Sequence, residues 1–170
     1  MVPARSRLLF SLALLATCLV LSAAFYLQSE VGLQPCSLYL MQGAFMAGFG
    51  LVCLAAALHG PGQRGLWRYA WGGLLMGVAG GLAATRHVWI QSASVSGKGP
   101  CGAEPGCPWQ AEALGDALDI LWQGSSQCTQ ITWSLLDLSW PEWSLLAFVG
   151  MTLFSLLQLL QGRRARAVAG

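Results

Sequence analysis

The chain has 170 residues, of which 55% are hydrophobic and only 9% charged, with a formal net charge of +2 and a mean hydropathy of +0.57. An ordinary soluble domain carries about a quarter of charged residues, so a soluble enzyme and a disordered scaffold are excluded. No long basic run marks a nucleic-acid face either.

Four segments, 8–27, 38–58, 69–85 and 143–160, contain no Asp, Glu, Lys or Arg. A bilayer-spanning helix needs roughly 20 apolar residues, and each segment is read as one span. The first follows Arg5 and Arg7 and ends in Ser22, Ala23 and Ala24, a pattern shared with signal peptides. Its apolar run is longer than a usual signal core, and retaining it gives an even number of crossings. The third span is the shortest, and its Gly73, Gly77 and Gly81 recur every four residues, which places bare backbone on one face for close helix packing.

Basic residues near span ends stay on the cytoplasmic side. Arg5, Arg7, Arg64, Arg68, Arg163, Arg164 and Arg166 fall on one side, whereas Arg86, Lys98 and all seven acidic residues fall on the other. The expected fold is therefore all-α: a single integral membrane four-helix bundle over 1–170, with both termini cytoplasmic. A short outer loop covers 28–37 and a long periplasmic loop between helices 3 and 4 covers 86–142. Within the long loop, 111–123 places Leu114, Ala117, Leu118, Leu121 and Trp122 on one helical face. Such a helix lies on the bilayer surface or on the bundle top, and Trp109, Trp133, Trp140 and Trp143 suit the lipid interface.

The six cysteines sort by side. Cys18 and Cys53 lie inside spans, where a thiol acts as a small apolar group. Cys36, Cys101, Cys107 and Cys128 face outward, a pattern that suits an oxidising compartment. Cys36 follows Pro35 at the start of the second helix, where unpaired N–H groups and the helix dipole favour a thiolate. The spacing of cysteines and of His59 and His87 does not suit a zinc site, so no metal is expected. Spans without ionisable side chains argue against ion transport, and phosphate-binding loops and nucleophile elbows are absent.

These residues carry a resemblance. Pro35-Cys36 opens helix 2, Arg86-His87-Val88-Trp89-Ile90-Gln91 closes helix 3, and Gln127-Cys128 is followed by Leu138-Ser139-Trp140-Pro141-Glu142-Trp143-Ser144-Leu145-Leu146. Over nearly its whole length the chain resembles the bacterial disulfide-bond formation protein B (DsbB) family. The resemblance implies an inner-membrane thiol:disulfide oxidoreductase that reoxidises a periplasmic DsbA-like thiol oxidase and passes electrons to a quinone, ubiquinone or menaquinone. Cys101 and Cys128 correspond to the family's loop disulfide, although a Cys101–Cys107 pair is also geometrically possible. Cys36 corresponds to the first cysteine of a C-x-x-C pair. His87 corresponds to the histidine near the quinone, and Gln42 and Tyr39 fall at the same site.

Two positions depart from the family. Tyr39 stands where the second cysteine of the pair is expected, and Gly43 stands where an arginine is expected. Cys53 cannot replace the lost thiol: it lies 17 residues beyond Cys36, about 25 Å along a helix and far outside disulfide reach. The alternative implied is a catalytically incomplete relative that binds a partner or quinone without turnover. A further alternative is a structural bundle in which the loop disulfide is only a staple. His87 is expected at the outer end of helix 3, with Arg86 beside it as a cation near lipid phosphate or the quinone.

Overall fold

A computed structural model describes residues 2–30, 37–95, 134–135 and 138–169. They form four long helices: α1 (Val2–Glu30), α2 (Ser37–His59), α3 (Gln63–Val95) and α4 (Trp140–Ala169). Two two-residue strands, β1 (Ser134–Leu135) and β2 (Leu138–Ser139), pair antiparallel just before α4 and are the one addition to the expected all-α fold among the described residues. The proposed surface helix at 111–123, together with Cys36, Cys101, Cys107 and Cys128, lies outside the described residues.

The helices are apolar on the outward face as well as on the buried one. Phe10, Met46, Phe49, Cys53, Ala56, Leu66, Ala84, Phe148 and Met151 form the core. Leu8, Leu12, Leu15 and Leu19 on α1, Leu51 and Leu58 on α2, Leu75 and Leu82 on α3, and Leu153 and Leu160 on α4 point outward and are more than half exposed. Large apolar side chains facing outward in rows along several helices have no favourable solvent except lipid. Three helices are long and apolar enough to cross a membrane by composition, namely 6–30, 38–59 and 140–162. The fourth, α3, is interrupted by glycines and begins and ends in polar residues. It nevertheless packs against both α2 and α4, while α1 packs chiefly against α2.

Missing side chains bring α3 and α4 together, as the glycine spacing predicts, with one change of position. A Cβ on Gly73 would meet Ser155 Oγ at 2.8 Å, and one on Gly77 would meet Thr152 Oγ1 at 2.8 Å and its backbone N at 3.2 Å. The third close approach is Gly80, which faces the Phe148 ring, whereas Gly81 keeps an ordinary 3.7 Å from Phe148 Cβ. Two turns of helix advance about 7 residues rather than 8, so the contact line drifts by one residue from the predicted four-residue repeat. Next to this seam Phe154 makes edge-to-face contacts with Phe10 and Phe49, with ring centroids 5.6 and 6.4 Å apart.

Helix 3 is longer than the span predicted at 69–85. It continues ten residues past Thr85 and so turns the start of the expected outer loop into helix. The physical reason is the burial of His87, Ile90 and Gln91, which keeps the same face against the bundle beyond the end of the apolar run. Similarly, α4 begins at Trp140, before the predicted start at 143, because Ser139 N–H and Oγ both donate to Glu142 Oε2, at 2.6 and 2.8 Å. A Glu at the third helical position reaching back to the backbone N–H of the capping Ser is one half of a capping box.

Candidate functional site

At the end of the bundle where α1 and α3 finish and α2 and α4 begin, polar side chains enter the core. Gln42 is 3% exposed and His87 5% exposed. Gln42 sits between Leu38 and Met46 at four-residue steps, so it shares the buried face of α2. His87 shares the buried face of α3 with Ala83, Ala84 and Ile90. Two apolar surfaces pressed together thus carry buried hydrogen-bonding groups, and one from each meets the other: Gln42 Nε2 and His87 Nδ1 are 3.1 Å apart.

Helix 4 supplies a third member. Ser144 Oγ lies 2.6 Å from Gln42 Oε1 and 2.8 Å from the Pro141 carbonyl oxygen. Both are acceptors, and the shorter contact takes the single hydroxyl proton. In the amide orientation that turns Gln42 Oε1 toward Ser144, Gln42 Nε2 donates to His87 Nδ1 and the neutral imidazole carries its proton on Nε2. A buried amide bridging a hydroxyl and an imidazole fixes both the ring's orientation and its tautomer.

Above this chain, Leu38 and Ile90 pack fully buried, with Tyr39 and Met41 against them. Tyr39 is half-buried; its hydroxyl donates to the Ala24 carbonyl of α1 at 3.3 Å, and its ring lies 6.3 Å from that of Trp140. It therefore joins α1, α2 and the start of α4. Gly43, one turn on from Tyr39, has open space around it: a Cβ there would meet nothing within 4 Å. Arg86 sets its guanidinium over the Trp89 ring, 4.5 Å from the centroid, a cation–π contact on the side of α3 next to the buried one.

Of the residues singled out from sequence, His87 and Gln42 are brought into direct contact and Tyr39 lies one turn above Gln42. Cys36, Cys101 and Cys128 fall outside the described residues. Ser144 was not singled out as a site residue, although it stands within the Pro-Glu-Trp-Ser block. A serine in the first turns of a helix reads as ordinary polarity until its partner 102 residues away is known. Cys53 is 1% exposed within the apolar core, while Cys18 is exposed on the outer face of α1. Among the described residues no three His, Cys, Asp or Glu side chains converge as metal ligands.

Fold and site together define a predominantly helical, multi-pass membrane protein with a buried polar chain at the end of the bundle from which the cysteine-bearing segments depart. Residues 6–158 match the family described as Disulfide bond formation protein DsbB, and the chain belongs to that family. It is 38% identical to Disulfide bond formation protein B of Stutzerimonas stutzeri over 164 residues, covering 93% of this chain and 97% of the relative. It is 41% identical over 168 residues to Disulfide bond formation protein B 2 of Pseudomonas putida, covering 96% of each chain. With Disulfide bond formation protein B 1 of Pseudomonas aeruginosa it shares 39% over 158 residues, covering 93% of this chain and 97% of the relative. No solved structure matches.

Proposed function

We propose that this single-domain chain is a DsbB-type inner-membrane thiol:disulfide oxidoreductase that accepts electrons from a periplasmic DsbA-like protein but lacks half of the relay to quinone. The observation that supports this most directly is the Ser144–Gln42–His87 chain. It holds a proton-bearing imidazole inside an apolar helix end, one residue from the open space at Gly43. Those residues fit a quinone head: polar side chains of hydrogen-bonding type set in apolar surroundings that suit the ring. A quinone supplies, when bound, an acceptor for two electrons and two protons. Gln42 holds the imidazole in register.

The thiol half runs through the loop. A thiolate of the reduced partner attacks one sulfur of a Cys101–Cys128 disulfide, forming a mixed disulfide and releasing the other loop sulfur as thiolate. The partner's second thiol then displaces the loop sulfur. The partner leaves oxidised, and Cys101 and Cys128 retain two electrons as thiols. Passing them onward calls for a second thiol beside Cys36, and Tyr39 holds that place. A phenol with a pKa near 10 forms no disulfide, and here its hydroxyl is committed to the Ala24 carbonyl. Gly43 also leaves out the fixed positive charge that lowers a cysteine pKa.

The test is turnover. Purified native protein mixed with reduced DsbA-like partner and ubiquinone is expected to oxidise at most one partner per molecule, with no sustained loss of quinone absorbance. Tyr39→Cys with Gly43→Arg is expected to restore turnover, and Tyr39→Cys alone to restore less. Space around Gly43 accepts the new side chain, and replacing a helical glycine gains up to about 1 kcal/mol, so the double variant should not melt below Tyr39→Cys. Repeated turnover by the native chain with quinone consumption would sink the proposal.

A further inference from the structure

At the opposite end of the bundle, a cleft of about 530 Å³ opens between the end of α2 and the start of α3. Its mouth is polar. His59, the last residue of α2, and Tyr69 meet there with Nδ1 and the hydroxyl 2.9 Å apart, and the exposed Arg68 stands beside them. Its floor is apolar and open, running inward to Val52 and Gly72. Val52 lies seven residues before His59, about 10 Å along the helix axis. Gly62 also lines the cleft, and a side chain there would meet nothing within 4 Å.

Depth in the membrane follows from length. Helix 2 has 23 residues and is about 35 Å long at 1.5 Å per residue, against a hydrocarbon thickness of about 30 Å. Its last residue therefore emerges at headgroup level. Charge follows from sequence: the segments at this end hold seven arginines and no Asp or Glu. The described acidic residues, Glu30 and Glu142, sit at the other end, closing α1 and opening α4. Nothing acidic within the described chain is placed to neutralise Arg68.

A guanidinium, an imidazole and a phenol around the mouth of an apolar slot at headgroup depth match an anionic phosphodiester with acyl chains attached. We propose that the cleft between α2 and α3 is a binding site for an anionic phospholipid, with the phosphate at Arg68, His59 and Tyr69 and the upper acyl methylenes along Val52 and Gly72. Free phosphate shares the headgroup chemistry but has no use for the floor. The site is independent of the redox proposal, since it shares no residue with the Gln42–His87 end.

Native mass spectrometry of the full chain in detergent, titrated with phosphatidylglycerol or phosphatidylcholine, tests it. The native chain is expected to retain phosphatidylglycerol in preference to phosphatidylcholine. Arg68→Gln is expected to weaken phosphatidylglycerol binding about fivefold or more, as the loss of one interfacial arginine implies. Gly72→Leu leaves every charge in place and fills the floor; a Cβ at Gly72 meets Val52 at an ordinary 3.5 Å, so the chain should still fold, and phosphatidylglycerol binding should fall as well. Weakening by Arg68→Gln with none by Gly72→Leu would show diffuse attraction to basic residues and overturn the cleft. Unchanged affinity in both variants would overturn it too. Displacement of the lipid by millimolar inorganic phosphate would assign the site to the free anion and overturn the lipid reading.

Discussion

Gln42 and His87 illustrate how much one side-chain contact decides. An amide can offer its nitrogen or its oxygen to a neighbour, and Ser144 on a third helix makes the choice by donating to the oxygen. The proton on His87 is placed by a serine that does not touch it. Gln42→Glu, when ionised, replaces the donor by an acceptor-only carboxylate, and His87 is then expected to carry a proton on Nδ1. In ¹⁵N spectra of histidine-labelled protein, the Nδ1 resonance of His87 is expected to move from the unprotonated to the protonated range. An Nδ1 signal that stays put would mean that Gln42 does not set the tautomer. Tyr39 is the opposite case, a residue whose sequence position suggests redox chemistry and whose contacts are structural. Its hydroxyl and ring tie α1 and α4 to the start of α2.

At the scale of elements, the α3–α4 seam depends on backbone approach. Gly77 and Gly80 face Thr152 and the Phe148 ring at distances that no Cβ can occupy without movement, and forcing volume into a packed seam costs about 1–3 kcal/mol. Gly77→Ala and Gly80→Ala are expected to lower the melting temperature in detergent, Gly80→Ala more because Phe148 is fully buried and has little room to turn. Gly150 on the same pair of helices has nothing within 4 Å, and Gly150→Ala is expected to leave melting unchanged or raise it. Equal losses for all three would point to glycine itself rather than the seam. The turn between α2 and α3 rests on a different glycine property. Gly60 has φ +53° and lies under the Arg7 guanidinium, which donates to the Leu58 carbonyl at 3.0 Å. The backbone angle disfavours a side chain there, and any side chain would also push the Arg7 guanidinium aside.

Over the whole molecule, charge is segregated along the bundle axis. Seven of the nine basic residues belong to one end, and all seven acidic residues belong to the other or to the segments attached to it. Basic residues near span ends remain in the cytoplasm, so a reporter fused after residue 169 is expected to report the cytoplasm. A membrane-impermeant maleimide added to intact spheroplasts is expected to label Cys101 and Cys128 only after reduction. Labelling of both without reductant would argue against their disulfide, and a periplasmic signal from the fused reporter would reverse the orientation.

The number of helices and the membrane setting were legible in the sequence because both depend on composition over some twenty residues, which lipid tests one segment at a time. The close α3–α4 packing was legible for the same kind of reason: Gly73 and Gly77 announce a bare face wherever the helix docks. Positions set by a partner were not. Whether Gly80 or Gly81 makes the third contact depends on how the helix phase meets Phe148, and the ends of α3 and α4 depend on burial of His87, Ile90 and Gln91 and on the Ser139–Glu142 cap. The resemblance of His87 to a family histidine could be read from its neighbours in the chain. Its orientation could not, because the groups that fix it stand on two other helices, 45 residues away at Gln42 and, through Gln42, a further 102 residues on at Ser144. A hydrogen bond is short and directional, so only the assembled bundle decides which donor reaches which acceptor.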